Sequence, residues 1–73
     1  MPKITLYSRT SCAPCKTLKY WLGKKNIPYN EKNLDDNPDF ALELPFLLVP
    51  SLRVGDELIQ GLKFEAISEA IGL

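Results

Sequence analysis

Apolar residues along the chain alternate in some stretches and recur every third or fourth position in others, and the changes of period mark out its elements. Ile4 and Leu6, in the β-prone stretch 3–7, precede the polar run Ser8-Arg9-Thr10-Ser11, which predicts a first strand. From 13 to about 25, Cys15, Leu18, Trp21 and Leu22 recur at helical spacing, with Lys16, Lys19 and Lys24 mostly between them. Ser11 or Cys12 would cap this helix, Pro14 fits its first turn, where a missing N–H costs nothing, and Asn26 closes it. Residues 27–34 predict a second, more polar strand, with Tyr29 as its main apolar contributor, between turn signals at Pro28 and at Asp35-Asp36-Asn37-Pro38. Asp36 or Asn37 before Pro38 starts a helix that Pro45 holds to about two turns, over 39–44.

Residues 51–54 and 57–59 flank Gly55-Asp56, a two-residue link suited to a type II′ hairpin. The tail, 62–71, sets Phe64, Ile67, Ala70 and Ile71 at helical spacing, with Glu65 and Glu69 between them and Gly72 at the end. The predicted order is β-α-β-α-β-β-α, an α/β chain with no internal repeat or linker.

A length of 73 residues leaves room for one domain, 1–73, near the lower size limit for a core without metals or several crosslinks. An apolar share of 45% and a charged share of 25% predict an ordinary packed core. Nine Lys and Arg balance nine Asp and Glu, so no net field draws the chain to nucleic acid or anionic lipid. The longest apolar run, 44–49, falls far short of the ~20 residues that cross a bilayer. The amino-terminal residues lack the apolar region of a secretory signal, so a cytoplasmic protein is expected.

Two cysteines are too few for a disulfide scaffold, and a close pair in a reducing compartment points to catalysis or metal binding. The absence of histidine excludes Cys-His and Ser-His-Asp chemistry and imidazole metal ligands. At the start of a helix, cysteines three apart sit about one turn from each other, close enough for their sulfurs to bond. Cys12 lies at the terminus, where unpaired N–H groups and the helix dipole favour a thiolate, and is the candidate nucleophile; Cys15, turned toward the protein body, is the candidate resolving thiol. Lowering a thiol pKa from ~8.5 to roughly 3.5–7.5 takes about 1.4–7 kcal/mol. The dipole supplies only ~0.3–2 kcal/mol. The remainder must come from N–H bonds to sulfur and from cations, of which Arg9 and Lys16 are nearest in sequence, so a moderate depression is expected. A CxxC pair is also half of a structural zinc site, but with no second pair a closed site would need another chain or glutathione, and no metal is expected.

Four stretches then carry a likeness: Tyr7-Ser8-Arg9, Cys12-Ala13-Pro14-Cys15, Val49-Pro50 and Gln60-Gly61-Leu62-Lys63. With them in this order, the chain resembles the glutaredoxin-like redoxins over nearly its whole length, and within them the NrdH redoxins. The resemblance implies a thioredoxin-like fold, a four-stranded mixed sheet flanked by helices. A monomer is expected, and a dithiol cycle through Cys12 and Cys15 requires no bound cofactor. By the resemblance, its electrons would come from thioredoxin reductase, or from glutathione as in glutaredoxins, and pass to ribonucleotide reductase or other disulfide proteins. The resemblance implies further that Pro50 is cis and faces the cysteines, leaving the Val49 backbone to pair with an extended substrate segment. Gly61 would either let the backbone come near the redox centre or open the last helix. Lys63 matches a basic position of the NrdH type, and Tyr7 supports the motif.

The departures are as specific as the matches. Ala13-Pro14 is neither the Pro-Tyr of glutaredoxins nor the Val-Gln usual in NrdH redoxins; Pro14 stiffens the motif and removes an N–H, which shifts the expected potential toward a more reducing, thioredoxin-like value. Leu48 stands where glutaredoxins carry threonine, and Gly61-Leu62-Lys63 replaces their glutathione-gripping Gly-Gly-Cys-Asp, so tight glutathione binding is not expected. The segment 43–49 is shortened against either family, a place for partner selectivity. The enzyme alternative is a glutathione-dependent glutaredoxin; the non-enzyme alternative is a thioredoxin-fold adaptor or a metal-sharing dimer.

Overall fold

The computed structural model describes residues 3–73; Met1 and Pro2, the first residues of the amino terminus considered above, lie outside them. The elements are β1 (Ile4–Ser8), α1 (Ala13–Lys24), β2 (Asn30–Asn33), a 3₁₀ helix (Pro38–Glu43), β3 (Ser51–Val54), β4 (Glu57–Gln60) and α2 (Phe64–Ile71). The strands form one mixed sheet in the order β2-β1-β3-β4, with β1 parallel to β2, β3 antiparallel to β1, and β4 antiparallel to β3.

Alternation along the strands divides the apolar residues between two faces. Ile4 and Leu6 of β1, Leu52 and Val54 of β3, and Ile59 of β4 meet Leu18 and Leu22 of α1 and Ile67 of α2 in the main core. Trp21 packs against this core, its ring 5.2 Å from that of Phe64 and tilted by 39°. On the opposite face Tyr7 joins Leu34 and Leu44, with Phe40, Ala41, Val49 and Leu58 packed around them. Both helices thus cover one face and the 3₁₀ helix the other, a thioredoxin-like arrangement. Among the described residues no helix is long and apolar enough to cross a membrane.

Three elements differ from what the periodicity predicts, two in length and one in helix type, each for a local reason. Asn26 takes φ 56° and its N–H donates to the Gly23 carbonyl at 3.1 Å, while Ile27 donates to the Leu22 carbonyl at 3.0 Å. This paired closure is a Schellman motif, and it draws Ile27 onto Leu22 in the core before a strand can begin. The second strand therefore holds only Asn30–Asn33, and Tyr29 packs against the core from outside it. The predicted second helix is of 3₁₀ type, with the Asn37 side chain accepting from the Asp39 N–H at 3.1 Å. The last helix starts at Phe64 instead of 62, because Gly61 at φ 95° turns the chain first. In the hairpin Gly55 has φ 61° and Asp56 does not enter the left-handed region, which suits a II′ turn and not a I′ turn.

Candidate active site

Because β1 and β2 are parallel and β3 runs back between β1 and β4, the ends of β1 and β2 and the start of β3 share one end of the sheet. Cys12, Asp35 and the Val49-Pro50 bend come together there. Cys12 caps α1 from an extended conformation (φ −134°, ψ 102°), and its sulfur accepts the backbone N–H of Cys15 at 3.1 Å. Pro14, in the same first turn, contributes no N–H. The two cysteines are joined in a disulfide with Cα atoms 5.2 Å apart. Their surroundings differ: Cys12 keeps 9% of its surface exposed, Cys15 none. A partner can reach only the first sulfur.

The sulfur opens into a cleft of about 530 Å³, walled by Ser11, Ala13 and Pro14 on the helix side and by Arg9, Asp35 and Val49 across from it. The Val49-Pro50 peptide bond is cis, and Pro50 is fully buried. Its carbonyl accepts the Gly61 N–H at 2.8 Å, which ties the end of β4 to this bend. Gly61 itself does not line the cleft, nor do Lys16 and Lys63, which are exposed. Lys63 precedes α2, and Lys16 lies on α1 with its N–H bonded to the Cys12 carbonyl at 3.2 Å.

Arg9 does not approach the sulfur as an unpaired cation. Its Nε and Nη2 both donate to Asp35 Oδ1, at 3.2 and 3.1 Å, while the Thr10 N–H donates to Asp35 Oδ2 at 2.7 Å. The Thr10 N–H first, and Arg9 second, hold the Asp35 carboxyl below the usual carboxylate range. Among the described residues the cleft thus carries one cation and one anion, locked together. Sequence reasoning took Asp35 only as a turn residue. The parallel pairing of β1 and β2 is the signal that would have found it, since it brings the loop after β2 beside Arg9.

Two further carboxylates flank the site from outside the cleft. Ser8, buried at the end of β1, donates to Glu31 at 2.6 Å, and Lys19, one helical turn beyond Cys15, pairs with the same oxygen. Burial alone would raise the Glu31 pKa; the bonds from Lys19 and Ser8 outweigh it and leave it lowered. On the other face the buried Tyr7 hydroxyl donates to Glu43 at 2.8 Å, and Lys32 to the same oxygen at 2.7 Å. Lys32, then Tyr7, lower the Glu43 pKa, and the bond to Glu43 raises that of Lys32. Tyr7 is thereby fixed under Val49, in the cluster that supports the bend. Among the described residues no group of three or more Cys, Asp or Glu side chains could hold a metal ion.

A family model described as glutaredoxin matches residues 4–59. The chain is 33% identical over 63 residues to the glutaredoxin-like protein NrdH of Lactococcus lactis subsp. cremoris, covering 82% of this chain and 88% of that protein. It is 38% identical over 56 residues to the global transcriptional regulator Spx 1 of Bacillus cereus, covering 77% of this chain and 43% of the regulator. Among solved structures, that of the glutaredoxin-like protein NrdH-redoxin from Escherichia coli superposes with a TM-score of 0.83 at 26% identity, over 92% of each chain.

Proposed function

As the chain belongs to the glutaredoxin family and is a thiol-disulfide oxidoreductase, we propose that it reduces protein disulfides in the cytoplasm through Cys12 and Cys15, taking electrons from a thioredoxin reductase and passing them to ribonucleotide reductase or another disulfide protein. The observation that carries this reading is the asymmetry of the bonded pair, one sulfur open to the cleft and the other wholly buried.

In the reducing direction the Cys12 thiolate attacks one sulfur of the partner disulfide. A Cys12-partner bond forms, and the first partner thiolate leaves and takes a proton. Cys15, having lost its own proton, attacks Cys12 Sγ, forms the Cys12-Cys15 bond and expels the second partner thiolate. Two electrons have then passed to the partner, and the reductase restores both thiols. The Val49 backbone, beside the cleft at the cis bend, offers an edge for an extended substrate segment, and Gly61 braces that bend through Pro50.

Two observations favour thioredoxin reductase over glutathione as donor. The Escherichia coli relative is described as having a thioredoxin-like activity profile. Among the described residues the one cation lining the cleft, Arg9, is already paired with Asp35, which leaves the carboxylates of glutathione without a free counter-ion from them. The test is insulin reduction with NADPH and thioredoxin reductase, run beside glutathione and glutathione reductase. Turnover with the first system alone supports the proposal; turnover with the second alone makes the protein a glutathione-dependent glutaredoxin.

A further inference from the structure

From 44 to 50 the chain reads Leu-Pro-Phe-Leu-Leu-Val-Pro, seven residues without a charge or a hydrogen-bonding side chain. Leu44 and Pro50 are buried and Val49 is half-buried, but Phe46 is 71% exposed, Leu47 70% and Leu48 47%. Leu42, on the preceding 3₁₀ turn, is 85% exposed. The backbone explains the outward display. The Phe46 carbonyl accepts from Gln60 Nε2 at 3.0 Å and from the Leu48 N–H at 2.8 Å, and the Leu48 carbonyl accepts from Ser51 Oγ at 2.5 Å. Gln60 also donates to Ser51 Oγ at 3.1 Å. The main-chain acceptors are thus held against the β3-β4 hairpin, and the apolar side chains of the same residues face solvent.

This display runs directly into Val49, which lines the redox cleft, so whatever brings a disulfide to Cys12 arrives beside it. We propose that Phe46, Leu47 and Leu48 form a docking surface for an apolar stretch next to the disulfide of a protein substrate. The proposal rests on the redox reading above and supplies its substrate class: disulfides flanked by apolar residues, in preference to small soluble disulfides. Size favours a transient partner over a second copy of the chain. A few exposed side chains make a patch on the order of the 300–600 Å² that is often functional on a monomer. Stable complexes bury about 800 Å² on each partner, while redox encounters lie at the small end of the range. The local absence of charge also leaves nothing for a polar partner surface to pair with.

The test uses stoichiometric oxidation of the pre-reduced protein, with no reductase present. Its second-order rate constant is measured with insulin, whose disulfides lie among apolar residues, and with hydroxyethyl disulfide. Phe46→Ser combined with Leu47→Ser is expected to lower the insulin rate constant about tenfold, or ~1.4 kcal/mol, and to leave the hydroxyethyl disulfide rate constant within about twofold. Phe46→Leu, which keeps the apolar surface, should restore most of the insulin rate. An unchanged insulin rate constant, or equal losses with both disulfides, would overturn the docking surface. So would sedimentation that shows a wild-type dimer abolished by the double substitution, which would assign the surface to self-association. Wild-type protein inert toward hydroxyethyl disulfide would instead sink the redox assignment beneath it.

Discussion

The amide N–H of Cys15 lies 3.1 Å from the sulfur of Cys12, so the residue placed to resolve the mixed disulfide also donates to the attacking atom. Pro14 leaves a gap among the N–H groups of that first turn. Pro14→His would refill it and stabilise the thiolate by about one hydrogen bond. The Cys12 thiol pKa should then fall by up to about one unit, and the reduction potential should rise by about 30 mV for ~1.4 kcal/mol. Thiolate absorbance against pH and equilibration with a glutathione buffer measure the two shifts, and a potential that falls would contradict this account of the turn.

Asp35→Asn removes the anion from the cleft and frees Arg9. Both changes favour a thiolate at Cys12, so its pKa should drop by about half a unit, the size expected of an exposed charge in high dielectric. Reaction with glutathione disulfide should rise several-fold in parallel. Salt at ~1 M should erase most of both effects, because it shortens the screening length to about 3 Å. Effects that persist in high salt would show that Asp35 acts through the loop's structure and not through its charge.

Acid should weaken the fold through its bonded carboxylates. Asp35, Glu31 and Glu43 all titrate below their ordinary values of 3.8 and 4.5 in the folded chain. A lowered carboxyl pKa contributes stability that is fully present above the unfolded value and is lost as pH falls through the folded one. Urea unfolding should therefore give a constant midpoint from about pH 7 down to about pH 5 and a falling one below. Glu43→Gln should flatten the fall, since it removes the carboxylate that Lys32 and Tyr7 share.

Leu18 of α1 is fully buried between the helix and the sheet. Leu18→Ala should cost about 2–5 kcal/mol in chemical denaturation, a large fraction of the stability available to so short a chain. A loss below ~1 kcal/mol would mean that the core around α1 collapses freely onto the gap.

The fold was largely legible because its periodicities are local: Leu18 and Leu22 declare their helix, Gly55-Asp56 its hairpin, and Cys12 with Pro14 the start of α1. The failures came where one residue serves two demands. Ile27 looks like strand, but the left-handed Asn26 before it commits it to the helix end. The site was legible only in part for a different reason. Cys12 and Cys15 are three apart, whereas Arg9 and Asp35 are 26 apart, and nothing in either residue's neighbourhood announces the other. Their meeting depends on β1 and β2 being parallel, a fact of sheet topology. Lys16 illustrates the reverse case: near Cys12 along the chain, it sits on the exposed side of α1, outside the cleft.

Strand β2 carries Asn30, Glu31, Lys32 and Asn33 at an outer edge of the sheet, with Glu31 and Lys32 fastened to Lys19 and Glu43. An open edge ordinarily invites a passing extended chain to add itself as the next strand. The reduction of protein disulfides proposed above would bring extended chains to this molecule, since an extended substrate segment is what the Val49 edge would receive. The short polar border, with Glu31 and Lys32 already engaged in ion pairs, is a poor template for such an addition.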